Sequence, residues 1–243
     1  MRGHACLRAW KDLGAACVDL LLPAVCPACR HAAGPLLCPV CVAALPVIVQ
    51  PCAWCGAAGA RDGRPCPSCQ DAGLPHVDRV QVALSYRGPT KDLIGDAKAA
   101  GRPAAVRALA ALMPRLALDL GSDCMVVPVP PARGRRPGPH LATALARAVA
   151  RRDGLRFRTL LRTTRLAAEQ HILNQSQRRN NVAGLFVCRG EAPATVVLVD
   201  DLITSGATAS SAAGALREAG ARRIILLGLA RTPRPGETED DDG

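Results

Sequence analysis

Five aromatic side chains, Trp10, Trp54, Tyr86, Phe157 and Phe186, are all that 243 residues contain. Proteins that read single strands by stacking bases present several exposed rings, so nucleic-acid binding by this chain would have to lean on charge. Long apolar runs are missing too. The stretch LGAACVDLLLPAVC follows Asp12 and is cut by Asp19 and Pro23, and nowhere do 18 apolar residues stand together. That predicts no membrane span and a soluble, cytoplasmic protein. No G-x-x-x-x-G-K-[ST] occurs, which excludes a P-loop, and no G-x-G-x-x-G follows a strand pattern.

Lysine is scarce, with three against 28 arginines, and the formal charge is +11. The last seven residues, ETEDDDG, hold five carboxylates and no base, which leaves the preceding 236 residues at +16. A body so charged attracts phosphate esters, nucleotides and nucleic acid. Arginine-rich, alanine-rich composition from GC-rich coding produces the same excess without a function. Almost half of the residues are apolar, enough for a proper core in one large or two modest domains.

Eight of the twelve cysteines fall into four C-x-x-C turns: Cys26 and Cys29, Cys38 and Cys41, Cys52 and Cys55, Cys66 and Cys69. Each turn aims two sulfurs at one point, as a tetrahedral metal with Zn–S bonds of about 2.3 Å requires, and two turns close a four-thiolate site. Eight ligands suit two zinc ions. A disulfide framework would need an oxidising compartment, and a thioredoxin-like pair would occur once, near a βαβ pattern. Sequential pairing of the turns closes the shortest loops, and interleaved pairing remains open. With every position on the metal filled by protein, such sites are structural, supplying folding energy to a segment too small to build a core. Cys6, Cys17, Cys124 and Cys188 are unpaired and read as inert buried thiols.

From about residue 77 the texture changes. Strands are predicted at 80–86, 124–130, within LRFRTLL (155–161), at 195–201 and at 223–230; helices over 91–98, 102–120, 140–154 and 207–220. Strand, helix and strand in this order imply a parallel sheet with right-handed crossovers. In such sheets ligands bind at the carboxyl ends of strands. There VVLVDDLITSGATAS delivers Asp200 and Asp201, then Thr204, Ser205, Gly206, Ala207 and Thr208 as the chain turns into a helix. A helix start offers unpaired N–H groups and a positive dipole end to a phosphate, with hydroxyl donors beside it. Two carboxylates would repel that phosphate unless they accept from sugar hydroxyls or face Mg²⁺. A ribose 5-phosphate meets both demands. The plainer alternative is a capped helix after a buried strand, since Asp, Ser and Thr are ordinary caps.

VVLVDDLITSGAT closely resembles the phosphoribosyl-diphosphate (PRPP) motif of type I phosphoribosyltransferases. The run of C-x-x-C turns, then Y-R-G-x-x-K-x-L-I-x-x-x-K from Tyr86 to Lys98, then VPVP, then Gln170, Leu173, Arg178, Asn181 and Val182 in the spacing Q-x-x-L-x(4)-R-x-x-N-V, resembles the ComF family of competence and DNA-uptake proteins over residues 18 to 231. The resemblance implies a double zinc ribbon (18–76), a phosphoribosyltransferase-like α/β domain (77–232) and an acidic tail (233–243). It implies PRPP or a related phosphoribosyl ligand with Mg²⁺, single-stranded DNA, and a DNA-uptake or helicase partner protein. One departure stands out: after VPVP the family has a longer arm ending in R-x-R-G-[FY]-N-Q, whereas this chain reads PARGRRPGPHLA. Arg133, Arg135 and Arg136 remain to neutralise a diphosphate, or form a solvated basic loop.

Three functions follow as expectations. In the first, Asp200 and Asp201 orient ribose while metal and basic groups stabilise the departing diphosphate, and Gln170, Arg178 and Asn181 belong to a lid over about 162–182. No general base for an acceptor is visible, and His140 and His171 are lone histidines. In the second, the chain is a non-enzymatic competence factor that grips single-stranded DNA through its positive body. A pure zinc-ribbon adaptor for a protein partner is the third reading.

Overall fold

Two apolar runs, TVVLVDDLI and RIILLGLAR, make the middle of the structure. The computed structural model describes residues 25–31, 36–59, 65–67, 69, 73–100, 102–116, 120–131, 140–164 and 184–234. The runs are β6 (Thr195–Ile203) and β7 (Arg223–Arg231), paired in parallel from Thr195 opposite Arg223 to Ile203 opposite Arg231. With β1 (Arg79–Ser85), β2 (Cys124–Pro128) and β3 (Arg156–Phe157) they form a five-stranded parallel sheet in the order β1-β7-β6-β2-β3. A central parallel strand is covered on both faces, so it reads as continuous hydrophobicity without alternation.

The two faces are separate cores. Val196 and Leu198 point into one, with Ala209, Ala212, Ala213 and Leu216 of α5 (Ala207–Glu218). Val197 and Val199 point into the other, which holds apolar residues of α2 (Gly88–Ala100), α3 (Pro103–Ala111) and α4 (Leu141–Arg152). The short α1 (Pro39–Ala43) begins at Cys38, its N-cap, and contains Cys41, so it is built on the second C-x-x-C turn.

Two predicted elements differ. The helix expected over 102–120 ends at Ala111, with Leu112 as its cap, because Pro114 disfavours helical geometry in the residue before it. LRFRTLL divides into β3 and β4 (Leu161–Thr163), and β4 pairs antiparallel with β5 (Phe186–Cys188), a hairpin that the sequence pattern does not predict. Its buried face, Leu161 and Phe186, joins the core shared with α5. Arg133, Arg135, Arg136, Gln170, Arg178, Asn181, His171, Cys6, Cys17 and the acidic tail from 235 lie outside the described residues. Among the described residues no helix is long and apolar enough to cross a membrane.

The cysteine segment is welded to the sheet. Val80 N–H donates to the Ala53 carbonyl at 2.6 Å, Leu74 N–H to that of Trp54 at 3.1 Å, and the buried Arg231 Nε to that of Cys55 at 2.8 Å. All four cysteines from 52 to 69 belong to the same core as α5.

Candidate functional site

Chain direction locates the site before any side chain does. From β2 the chain crosses through α4 to β3 on one side; from β6 it crosses through α5 to β7 on the other. The order therefore reverses between β2 and β6, and the crevice beyond their carboxyl ends is where an open parallel sheet takes its ligand. Asp200 and Asp201 stand near the carboxyl end of β6, just past Val199, the last residue that β2 pairs, and both are buried.

The two carboxyls are not alike. Burial, then the neighbouring Asp201 charge, pushes Asp200 well above the usual carboxylate range, and its Oδ1 accepts from the Asp201 backbone N–H at 2.9 Å. Burial also opposes ionisation of Asp201, but Lys98 Nζ lies 2.5 Å from its Oδ2 and His140 lies near, so Asp201 is held below the ordinary range. The arrangement is one neutral-leaning acid beside one ion-paired carboxylate. Lys98, in the last turn of α2, and His140, at the start of α4, were not predicted for this site. Lys98 closes the Y-R-G-to-K motif, which was a usable signal; His140 stood out only as a lone histidine.

The loop follows at once. Thr204, Ser205 and Thr208 are exposed, Ala207 is half-buried, and Ser205 Oγ accepts from the Ala207 N–H at 3.3 Å. Gly206, the N-cap of α5, lies in the left-handed region, φ 80°, and makes no side-chain cap bond, so the Ser205 hydroxyl supplies the cap-like contact to the first helical N–H. Its need for glycine has a cause beyond ligand approach: a Cβ there would stand 2.5 Å from one methyl of Leu74 and 2.9 Å from the other. Gly206→Ala is expected to cost about 1–3 kcal/mol from backbone strain and overpacking together. Leu74→Ala in the same chain should restore the packing share alone, and urea melts of the single and double variants separate the two.

The cysteine turns come together sequentially, Cys26, Cys29, Cys38 and Cys41 in one cluster and Cys52, Cys55, Cys66 and Cys69 in the other, with sulfurs in each within 4.8 Å of one another. Sulfurs on a tetrahedral zinc lie about 3.8 Å apart for 2.3 Å bonds. Here Cys29 and Cys38 are 3.9 Å apart, Cys52 and Cys69 4.0 Å, and Cys55 and Cys66 3.5 Å. Backbone N–H groups of Cys38 and Cys66 point at Cys26 and Cys52 sulfurs, each at 3.4 Å. Against the cost of burial, such N–H groups hold Cys26 down to about 6 and Cys52 to about 7, whereas hydrogen bonding to Cys38 drives Cys41 up to about 12 and burial drives Cys55 and Cys69 up. Four crowded thiols cannot all ionise alone; a divalent cation resolves the conflict. Both groups are compatible with two structural zinc ions. The second is wholly buried, while Cys29 of the first is exposed. Burial raises Cys124 and Cys188, as inert thiols require.

A parallel sheet with covered faces, an acid pair at its switch point and two four-cysteine clusters at the amino-terminal side define a doubly wound α/β protein joined to a two-cluster cysteine module. The DNA utilization protein YhgH of Salmonella typhi is 30% identical over 232 residues, spanning 88% of this chain and 99% of that protein. Its counterparts in Salmonella typhimurium and Escherichia coli K12 are 29% identical over 232 and 231 residues, with the same coverage. The chain belongs to this family, the ComF family that its motifs resemble. No family model matches the chain. The crystal structure of TT1426 from Thermus thermophilus overlaps 47% of this chain and 76% of its own at 18% identity, with a TM-score of 0.29, a likeness too slight to carry weight.

Proposed function

We propose that the cradle at the end of β6 binds the 5-phosphate and ribose of PRPP, and that the protein moves the phosphoribosyl group to an amine or base in the service of DNA utilization, the role its relatives are named for. The observation that carries the proposal is the acid pair at the switch point, followed directly by an exposed hydroxyl loop at a helix start. In the transfer the ribose C1–O bond to diphosphate breaks and a C1–N bond to the acceptor forms, and the acceptor proton leaves to solvent or diphosphate. Asp201, ionised, accepts from one ribose hydroxyl; Asp200, protonated, donates as well as accepts.

The pair is a poor site for a bare cation, because Lys98 already neutralises Asp201 and Asp200 resists ionisation. Mg²⁺ would therefore arrive on the diphosphate of PRPP, supplying charge neutralisation there. Calorimetry should show saturable PRPP binding strengthened by Mg²⁺, and no heat from Mg²⁺ alone. Absence of any heat or rise in melting temperature with PRPP and Mg²⁺ sinks the proposal.

A second reading is favoured by the relatives' name and the +16 body: the chain holds single-stranded DNA by charge, whether or not it also catalyses transfer.

A further inference from the structure

The open edge of the sheet carries a band of arginine that neither the cysteine clusters nor the acid pair uses. β3 is the edge strand, and its Arg156 is exposed, as is Arg158 just beyond it. Between them Phe157 turns to the α4 side and lies under Arg147, whose guanidinium carbon is 4.5 Å from the ring centroid. Arg151 stands one turn further along the exposed face of α4. Past β3 the chain enters the hairpin, where Leu161 pairs with Cys188 and Arg162 with Val187, so Arg162 and Arg189 share its outward face, diagonal to each other. Six exposed guanidiniums thus follow one another around the edge.

Among the described residues, carboxylates do little to cancel them. Asp123 binds Arg156 at 2.8 Å, Glu191 follows Arg189 by two residues, and Asp153 is engaged by Arg152. Within each element the backbone sets the step: alternate residues of a strand advance by about 6.6 Å and residues one helical turn apart by about 6 Å. That is the repeat of successive phosphates along an extended polynucleotide. Guanidinium is also the group best suited to phosphate oxygens, since it offers paired N–H donors and stays charged. The ring that a base could stack on is already covered by Arg147, so base identity has little to grip.

We propose that this band, from α4 around β3 to the β4–β5 hairpin, binds the phosphodiester backbone of single-stranded nucleic acid without reading its sequence. The proposal rests on the DNA-holding reading above and is separate from the phosphoribosyl cradle. Its test is fluorescence anisotropy of the full chain with a labelled mixed-sequence DNA oligonucleotide of about 30 nucleotides, across about 50 to 200 mM salt. Two charge-matched pairs, Arg151→Gln with Arg158→Gln and Arg162→Gln with Arg189→Gln, are compared with Arg79→Gln and Arg222→Gln at the opposite side of the sheet. Each band pair should weaken binding roughly tenfold at about 100 mM salt and reduce the slope of log affinity against log salt by about 1.4, or about 0.7 for each phosphate that is no longer neutralised. The control pair should change neither, and homopolymers should bind like the mixed sequence. Equal weakening by band and control pairs overturns the surface while leaving DNA binding in place. No binding by the unaltered chain overturns both. Tighter binding of poly-glutamate than of DNA overturns the assignment to nucleic acid.

Discussion

Cys52→Ser should leave the protein with one zinc instead of two and lower the melting temperature of the whole molecule by about 10–20 °C, corresponding to a loss on the order of 5 kcal/mol or more. Cys29→Ser should also leave one zinc but shift melting by only a few degrees. The difference follows from burial. Cys52, Cys55, Cys66 and Cys69 are packed among the side chains that cover one face of the sheet, and Arg231 and Val80 bond directly to the backbone around them. The first cluster is open, with Cys29 exposed and Cys38 and Cys41 half-buried. Chelator should accordingly strip the first metal from the folded protein and take the second only as the protein unfolds. Elemental analysis with circular-dichroism melts of both variants provides the check. Equal destabilisation by the two, or no metal in the unaltered protein, would defeat this account.

The acid pair should answer substitution with opposite signs. Asp201→Asn leaves Lys98 with no counter-charge in a largely buried position, a change that costs about 3 kcal/mol when one partner of such a pair is removed. Asp201 is depressed in the folded state, so its contribution is present above the unfolded value near 4 and is lost as pH falls through the folded one. Asp200 is raised, to about 8, so the folded state holds its proton more tightly than the unfolded chain does. Its effect is therefore a stability that is full below about pH 4 and declines as pH rises toward 8. Asp200→Asn keeps the acceptor for the Asp201 N–H and removes that decline, so at about pH 8 the ligand-free variant should be the more stable protein, by on the order of 1 kcal/mol. Urea melts at about pH 4, 6 and 8 read this directly. Asp200→Asn should nonetheless bind PRPP more weakly if the cradle takes ribose, the usual exchange of stability for function at a binding site. Parallel destabilisation by the two substitutions would contradict the separate roles.

What could be read in the sequence was whatever is local. The runs at 195–203 and 223–231 are apolar over a full strand length, and C-x-x-C turns carry their geometry within four residues, so the parallel α/β sheet and both four-cysteine clusters were legible. The acids and the loop were legible as a candidate site because strand, carboxylates, hydroxyls and helix follow without a break. Their electrostatics were not. Lys98 and Asp201 are distant in sequence, and only packing of α2 over the end of β6 makes one acid charged and the other neutral. The hairpin of β4 and β5 has three residues a strand, too few to show alternation. The end of α3 is hidden because apolar texture continues past Pro114 although helical geometry does not.

Leu74 lies just beyond the last cysteine of the second cluster, and its side chain rests on the glycine where the hydroxyl loop turns into α5. Cysteine cluster and loop therefore share a wall. Any ligand that draws the loop toward Leu74 or away from it would change the free energy with which those cysteines hold a cation, and by reciprocity the cation would change the affinity of that ligand by the same factor. An ion held by this buried cluster, taken up at folding and kept until unfolding, would thus set the resting shape of a loop that contains no cysteine.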